Sequence, residues 1–203
     1  LKEALKLAET SDDAEDSSST FKLPKDLIQE CIKPILVNLR DHKKLSIPLL
    51  KGLTRLLALL SSWFNKSLGD KMLEHLQRFL EPNKIIELKL WRSGEEPLVA
   101  AAVMDLFSEL PQASGFVEAL VKTTIRLESV LSSYGSGYFI SPFRNPLSRY
   151  LNKHCAGTVG FFLAEHRLSN PMYNDLFFDI LKRDDSLSLR QYLGSKECTV
   201  MID

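Results

Sequence analysis

Gly135 and Gly137, in SSYGSGYFISPFRNP (Ser132 to Pro146), are the residues most suggestive of chemistry. Paired glycines let backbone N–H groups turn toward a phosphate, usually just ahead of a helix. The rest of each phosphate-binding pattern is missing. A dinucleotide fingerprint needs a third glycine where Ile140 stands, and a Walker loop needs G-K-[ST], whereas Ser136 and Tyr138 follow these glycines. A kinase glycine loop needs a flanking strand pair and a later Lys, H-R-D and D-F-G, and neither H-R-D nor D-F-G occurs. The four histidines (His42, His75, His154, His166) lack H-E-x-x-H spacing, and there is no C-x-x-C, so zinc has no ligand set. His154 and Cys155 are neighbours and would diverge by about 100° on a helix, which forbids a dyad. His154 falls in line with Leu147, Leu151 and Thr158 and reads as a satisfied, half-buried side chain. No G-x-S-x-G elbow is present. The carboxylate pairs Asp12-Asp13, Glu95-Glu96 and Asp184-Asp185 sit at helix starts or in loops, where capping or solvation explains them. No catalytic, cofactor-binding or metal-binding residue is assigned, no cofactor or small molecule is expected, and the chain does not read as an enzyme.

Charge gives a different candidate. Lys plus Arg equals Asp plus Glu at 26 each, so there is no global reason to bind nucleic acid or an acidic membrane. Locally, Lys22 to Arg55 holds eight basic residues against three acids, and Leu1 to Thr20 holds six acids against Lys2 and Lys6. Arg40, Lys43, Lys44, Lys51 and Arg55 form a candidate basic ridge for an acidic partner segment. Cys31, Cys155 and Cys198 are widely spaced and odd in number, which suits reduced thiols in a nuclear or cytosolic protein. No run of 18 apolar residues exists, so no membrane span is expected.

The elements that would carry these residues are helices. Residues Leu1 to Ala8 resemble the tail of a helix, and the chain opens without Met, as a piece of a longer protein would. Glu9 to Thr20 (ETSDDAEDSSST) has no large apolar side chain and reads as a flexible linker. From residue 21 to 203 helical spacing recurs. Leu27, Cys31, Ile35 and Leu39 share a face, with Pro34 expected to kink that helix. Further stripes are Leu49-Leu53-Leu56-Leu57-Leu60, Leu68-Met72-Leu73-Leu76-Leu80 and Val99-Val103-Leu106-Phe107-Leu110. A short helix is predicted over 83–92, the longest from Val117 to Leu131, then Leu147 to His166, Met172 to Leu181 and Leu187 to Leu193. Leu45 to Leu60 and Pro97 to Leu110 are apolar on more than one side, so neighbours are expected on both flanks. Sustained period-two alternation is absent, which gives an all-α fold of helices stacked as a solenoid.

Cys31 to Leu60 resembles a HEAT repeat through Pro34 in the first helix, Asp41 at the turn and the leucine stripe from Leu49. No clean period of about 40 to 47 residues continues, so the repeats are irregular. SSWFNKSLGDKMLEHLQRFLEPNK (Ser61 to Lys84), WRSGEEPLVAAAVMDLFSELP (Trp91 to Pro111) and SPFRNPLSRYLNKH (Ser141 to His154) together resemble the transformation/transcription domain-associated protein family (TRRAP). The resemblance implies a HEAT solenoid segment of a giant phosphatidylinositol-3-kinase-related pseudokinase. It further implies a nuclear, non-catalytic scaffold of histone acetyltransferase complexes of the SAGA type, contacted by transcription activators. Its partners would be proteins, with no sequence-specific nucleic acid binding, and no catalytic residue carries over. A transport receptor, a phosphatase scaffold or an enzyme's helical accessory domain would be the other homes for such helices. In this light the glycine loop is a joint: Gly135 and Gly137 end one helix, Tyr138, Phe139, Ile140 and Phe143 pack across it, and Pro142 and Pro146 keep the chain extended until a helix near Leu147.

Overall fold

A computed structural model describes residues 30, 34, 37–39, 41, 44–60, 66–80, 96–110, 113–134 and 140–195. The chain divides into two units, Leu1–Ile35 and Leu36–Asp203. Of the first, Glu30 and Pro34 are described, both exposed and helical. The expected helix tail at 1–8, the linker at 9–20, the helix at 83–92 and the glycines at 135 and 137 lie outside the described residues.

The second unit is all-α, with no strand among the described residues. Among the described residues its helices of seven residues or more are α1 (Ile47–Leu60), α2 (Lys66–Arg78), α3 (Glu96–Asp105), α4 (Val117–Tyr134), α5 (Arg144–Lys153), α6 (Cys155–Leu163), α7 (Pro171–Lys182) and α8 (Leu187–Leu193). Local chemistry sets several ends. Ser46 precedes α1, accepts from Leu49 N at 3.4 Å, and Pro48 takes a first-turn position where no N–H is needed. Asn170 caps α7 by accepting from Met172 N at 3.0 Å, with Pro171 opening the helix.

Among the described helices the packing joins elements that are not neighbours in the chain. α1 packs on α3, α2 on α4, α3 on α5, α4 on α6 and α6 on α8. Each described helix except α7 thus meets one that does not adjoin it in the described order, as stacked helical repeats do. Gly69 permits one close approach: a Cβ there would fall 2.7 Å from the Phe116 ring. The core runs through Leu50, Leu53 and Leu57 of α1, Val99, Val103 and Met104 of α3, Phe107, and Leu147, Tyr150 and Leu151 of α5, all at most 2 % exposed.

α3 is covered on several sides, as its sequence implies, with Val99, Ala100, Ala101, Val103 and Met104 all buried. α1 departs from the same expectation. Its buried stripe is Leu50, Leu53 and Leu57, while Pro48, Lys51, Gly52, Arg55 and Ala58 are exposed. The small and charged residues on that side offer little apolar area to bury, so one face stays in water.

The predicted helix from Leu147 to His166 is three elements: α5, α6 and a 3-10 turn, Ala164–Ser169. His154 leaves the helical region at φ −117° and ψ 50°. Its N–H is shared between Tyr150 and Leu151 carbonyls, each at 3.2 Å. The Thr158 hydroxyl reaches the Leu151 carbonyl at 3.0 Å and the His154 carbonyl at 2.9 Å, satisfying acceptors that the break exposes. Apolar periodicity continues on both sides of His154, which is why the pattern hides the break.

The joint is also revised. α5 begins at Arg144, not near Leu147, and Pro146 lies buried in its first turn, where its missing N–H costs nothing. Phe143 is buried as expected, but Ile140 is 91 % exposed and packs across nothing.

Candidate functional site

α5, RNPLSRYLNK, buries Pro146, Leu147, Ser148, Tyr150 and Leu151, and most of its polar side chains reach other elements. Arg144 donates through Nε and Nη2 to the Glu128 carboxylate of α4, at 2.8 and 3.1 Å. Its Nη1 lies 3.0 Å from Asp179 Oδ2 of α7. One guanidinium therefore ties three helices in a planar fork that lysine could not match. The bonds to Glu128 hold its charge above the ordinary arginine range despite partial burial. Ser141 accepts from Phe143 N at 3.3 Å, and Asn145 accepts from Arg183. The S-P-F-R-N-P-L stretch is a joint in which Ser141 braces the turn itself while Arg144 and Asn145 hold neighbouring segments.

The other end of α5 is anchored likewise. Asn152 Nδ2 donates to the Ser148 carbonyl at 2.9 Å and to Ser186 Oγ at 3.0 Å. Its Oδ1 accepts from Leu189 N at 3.3 Å, so a side chain of α5 caps the first turn of α8. Ser148 Oγ donates to Asp185 Oδ1 at 3.2 Å. The Tyr150 hydroxyl donates to the Ala113 carbonyl, Lys153 to the Ser108 carbonyl, and Arg149 pairs with Asp105 at 2.7 Å. Burial pushes the Tyr150 hydroxyl above its ordinary value, which keeps it a donor. Asp105 is pushed up by burial, against the pull of Arg149.

None of this is catalytic geometry. Among the described residues no three His, Cys, Asp or Glu side chains stand close enough to hold a metal, and no helix is long and apolar enough to cross a membrane. Asp184 and Asp185 form a short turn before α8, where Asp185 receives Ser148 and faces Arg183 at 3.6 Å. The half-buried Cys155 thiol donates to the Asn152 carbonyl at 2.9 Å, and burial raises its pKa. His154 is half-buried as its position implies, but it is not satisfied: Nε2 is buried without a hydrogen-bond partner. The helix break turns the ring against Tyr150, with centroids 4.7 Å apart, where no acceptor is at hand.

His75 is fully buried, with Nε2 2.6 Å from the Leu39 carbonyl. A carbonyl only accepts, so Nε2 carries the hydrogen, and buried Nδ1 has no partner. Protonation would place a charged donor in a site without an acceptor. Burial accordingly lowers the pKa of His75, and of His154. With folded values below the unfolded value of about 6.5, the unfolded chain binds more protons as pH falls through that value. Stability is fully present above about pH 6.5 and declines below it. Melting at about pH 7.5 and about pH 5.5 should show a drop of several degrees at the lower pH, and His75→Gln should reduce that drop.

Of the candidate ridge, Arg40 and Lys43 lie outside the described residues. Lys44, Lys51 and Arg55 are exposed, and Lys51 and Arg55 share the open face of α1, which carries no acid. Many other cations here are engaged: Lys71 and Arg78 pair with Glu74, and Lys122 with Glu118. Sequence reasoning missed the anchors Arg144 and Asn152. The available signal was an arginine between two prolines opening a helix.

The model of the Tra1 HEAT repeat ring region matches residues 2–203. The chain is 40% identical over 162 residues to the probable transcription-associated protein 1 of Dictyostelium discoideum, covering 79% of this chain and 3% of that protein. It is 36% identical over 154 residues to the SAGA complex/NuA4 acetyltransferase complex subunit Tra1 of Schizosaccharomyces pombe, covering 74% and 4%. It is 30% identical over 181 residues to the transformation/transcription domain-associated protein of Danio rerio, covering 84% and 5%. The chain thus spans only a few per cent of the length of these relatives. A match over nearly the whole chain, on stacked helices joined by the α5 contacts, means that this chain belongs to the Tra1/TRRAP family, as a segment of its HEAT repeat ring region.

Proposed function

We propose that this segment is a non-catalytic scaffold element of a nuclear transcription co-activator subunit that holds histone acetyltransferase complexes of the SAGA type together. The observation that carries the reading is the ring-region match over residues 2–203, together with relatives named as SAGA/NuA4 subunits. Its partners are other complex subunits and transcription activators. Membership of this family leaves the transport-receptor and phosphatase-scaffold readings without support. Affinity purification of the full-length parent protein tests the proposal: acetyltransferase catalytic subunits should co-purify in near-stoichiometric amounts. Their absence from a purification that recovers intact parent protein would overturn it.

Within that reading, the ridge of Arg40, Lys43, Lys44, Lys51 and Arg55 docks an acidic segment. Exposed cations on a helix face without acids support this, since such a face attracts anionic peptides through a field that salt screens. An acidic peptide should bind about tenfold more weakly when salt is raised from about 50 mM to about 500 mM. Lys51→Glu with Arg55→Glu should weaken it by a similar factor at low salt. Affinity that stays flat across the salt series would rule out the ridge.

A further inference from the structure

An open groove of about 800 Å³ lies between the second half of α4 and α7, with the start of α5 as its floor. Two features set it apart from an ordinary surface crevice. Ile140 and Met172, at its lining, are 91 % and 51 % exposed, although isoleucine and methionine lose favourable burial by standing in water. The charges are also unbalanced. Glu128, Asp175 and Asp179 face Arg144 and Arg183. Arg144 is spent on Glu128 and Asp179, and Arg183 lies 3.9 Å from Asp179 and 3.6 Å from Asp185. Asp175 is exposed, one helical turn from Met172, and both guanidiniums are already committed elsewhere.

We propose that this groove docks a segment of a partner protein that carries an apolar side chain next to a lysine or arginine. The apolar side chain sits between Ile140 and Met172, and the basic residue pairs with Asp175. The anchored floor supports it: Arg144 and Asn145 are held by α4 and by Arg183, so the groove is preformed and little ordering is needed on binding. An acidic segment would meet the surplus carboxylate and be disfavoured. The proposal takes from the scaffold reading only that the occupant is a protein.

The test uses the full-length parent protein in its native complexes, with a photo-crosslinking phenylalanine analogue in place of Ile140. Its exposure makes that site tolerant. The expected result is an adduct whose partner peptide holds a lysine or arginine within a few residues of the crosslinked position. Asp175→Lys should lower adduct yield about fivefold at low salt, with the effect fading at high salt. No adduct, an adduct with an acidic peptide, with lipid or with a second copy of this chain, or a yield indifferent to Asp175→Lys would each overturn the proposal. If acetyltransferase subunits still co-purified in those cases, the groove alone would fail and the scaffold reading would stand.

Discussion

Replacing Tyr150 with alanine should destabilise the chain by about 3 to 5 kcal/mol, the range for deleting a fully buried aromatic ring. Tyr150 has no exposure, lies edge-on to Phe107 at 6.3 Å, touches His154, and reaches the Ala113 carbonyl through its hydroxyl. Truncation would leave a cavity between α5, the Phe107 ring and the chain at Ala113. Tyr150→Phe keeps the ring and removes the hydroxyl, so it should cost about 1 to 2 kcal/mol, chiefly through the stranded carbonyl. Urea denaturation of the two variants separates these contributions. Equal losses would mean that the hydroxyl, not packing, dominates. Since a domain is stable by only about 5 to 15 kcal/mol, Tyr150→Ala should remove a large share of the total.

Asn152→Ala should cost about 2 to 3 kcal/mol, more than an ordinary polar truncation. It removes three contacts at once: the Ser148 carbonyl loses its side-chain donor, buried Ser186 is left with the Ser148 hydroxyl at 3.4 Å, and Leu189 N loses its cap. Asn152→Asp gives a sharper result. The carboxylate could still cap Leu189 N, and a helix N-terminus favours negative charge. It would also lack the amide donor to Ser148 and Ser186, and would add a second carboxylate beside the Ser148 hydroxyl that already serves Asp185. The aspartate variant should therefore be nearly as unstable as the alanine variant. If aspartate proved close to wild type, capping of α8 would be the whole role of Asn152, and the link from α5 to the 184–186 turn would carry little weight.

Much of the fold was legible because apolar spacing reports burial directly. Val99, Val103, Leu106, Phe107 and Leu110 follow helical spacing and are all buried. Leu187 to Leu193 is α8 to the residue, because polar turns bracket it. The break at His154 was not legible, since it depends on a backbone rotation stabilised by Thr158, and Thr158 satisfies the helical pattern whether the helix is broken or whole. The exposure of Ile140 was hidden for a related reason: composition says what a side chain prefers, not whether a partner stands nearby. Arg144 and Asn152 were missed because their roles exist only between elements distant in sequence, as with Arg144 and Asp179 or Asn152 and Leu189. The ridge rests on charge alone; Lys44, Lys51 and Arg55 are exposed, and Arg40 and Lys43 lie outside the described residues. The family resemblance was more informative than any single motif, because W-F-N, G-E-E-P and S-P-F-R-N-P-L are specific in combination.

The central structural claim is that α5 pins the stack, holding α4 and α7 through Arg144 and α8 through Asn152. Amide hydrogen exchange tests it most directly, since it reads local opening segment by segment. The account predicts that residues 147–153 exchange among the slowest in the chain, and that Asn152→Ala accelerates α5 and residues 184–193 together. Rapid exchange across α5 in the unsubstituted chain, or acceleration confined to α5 while α8 stays protected, would contradict it.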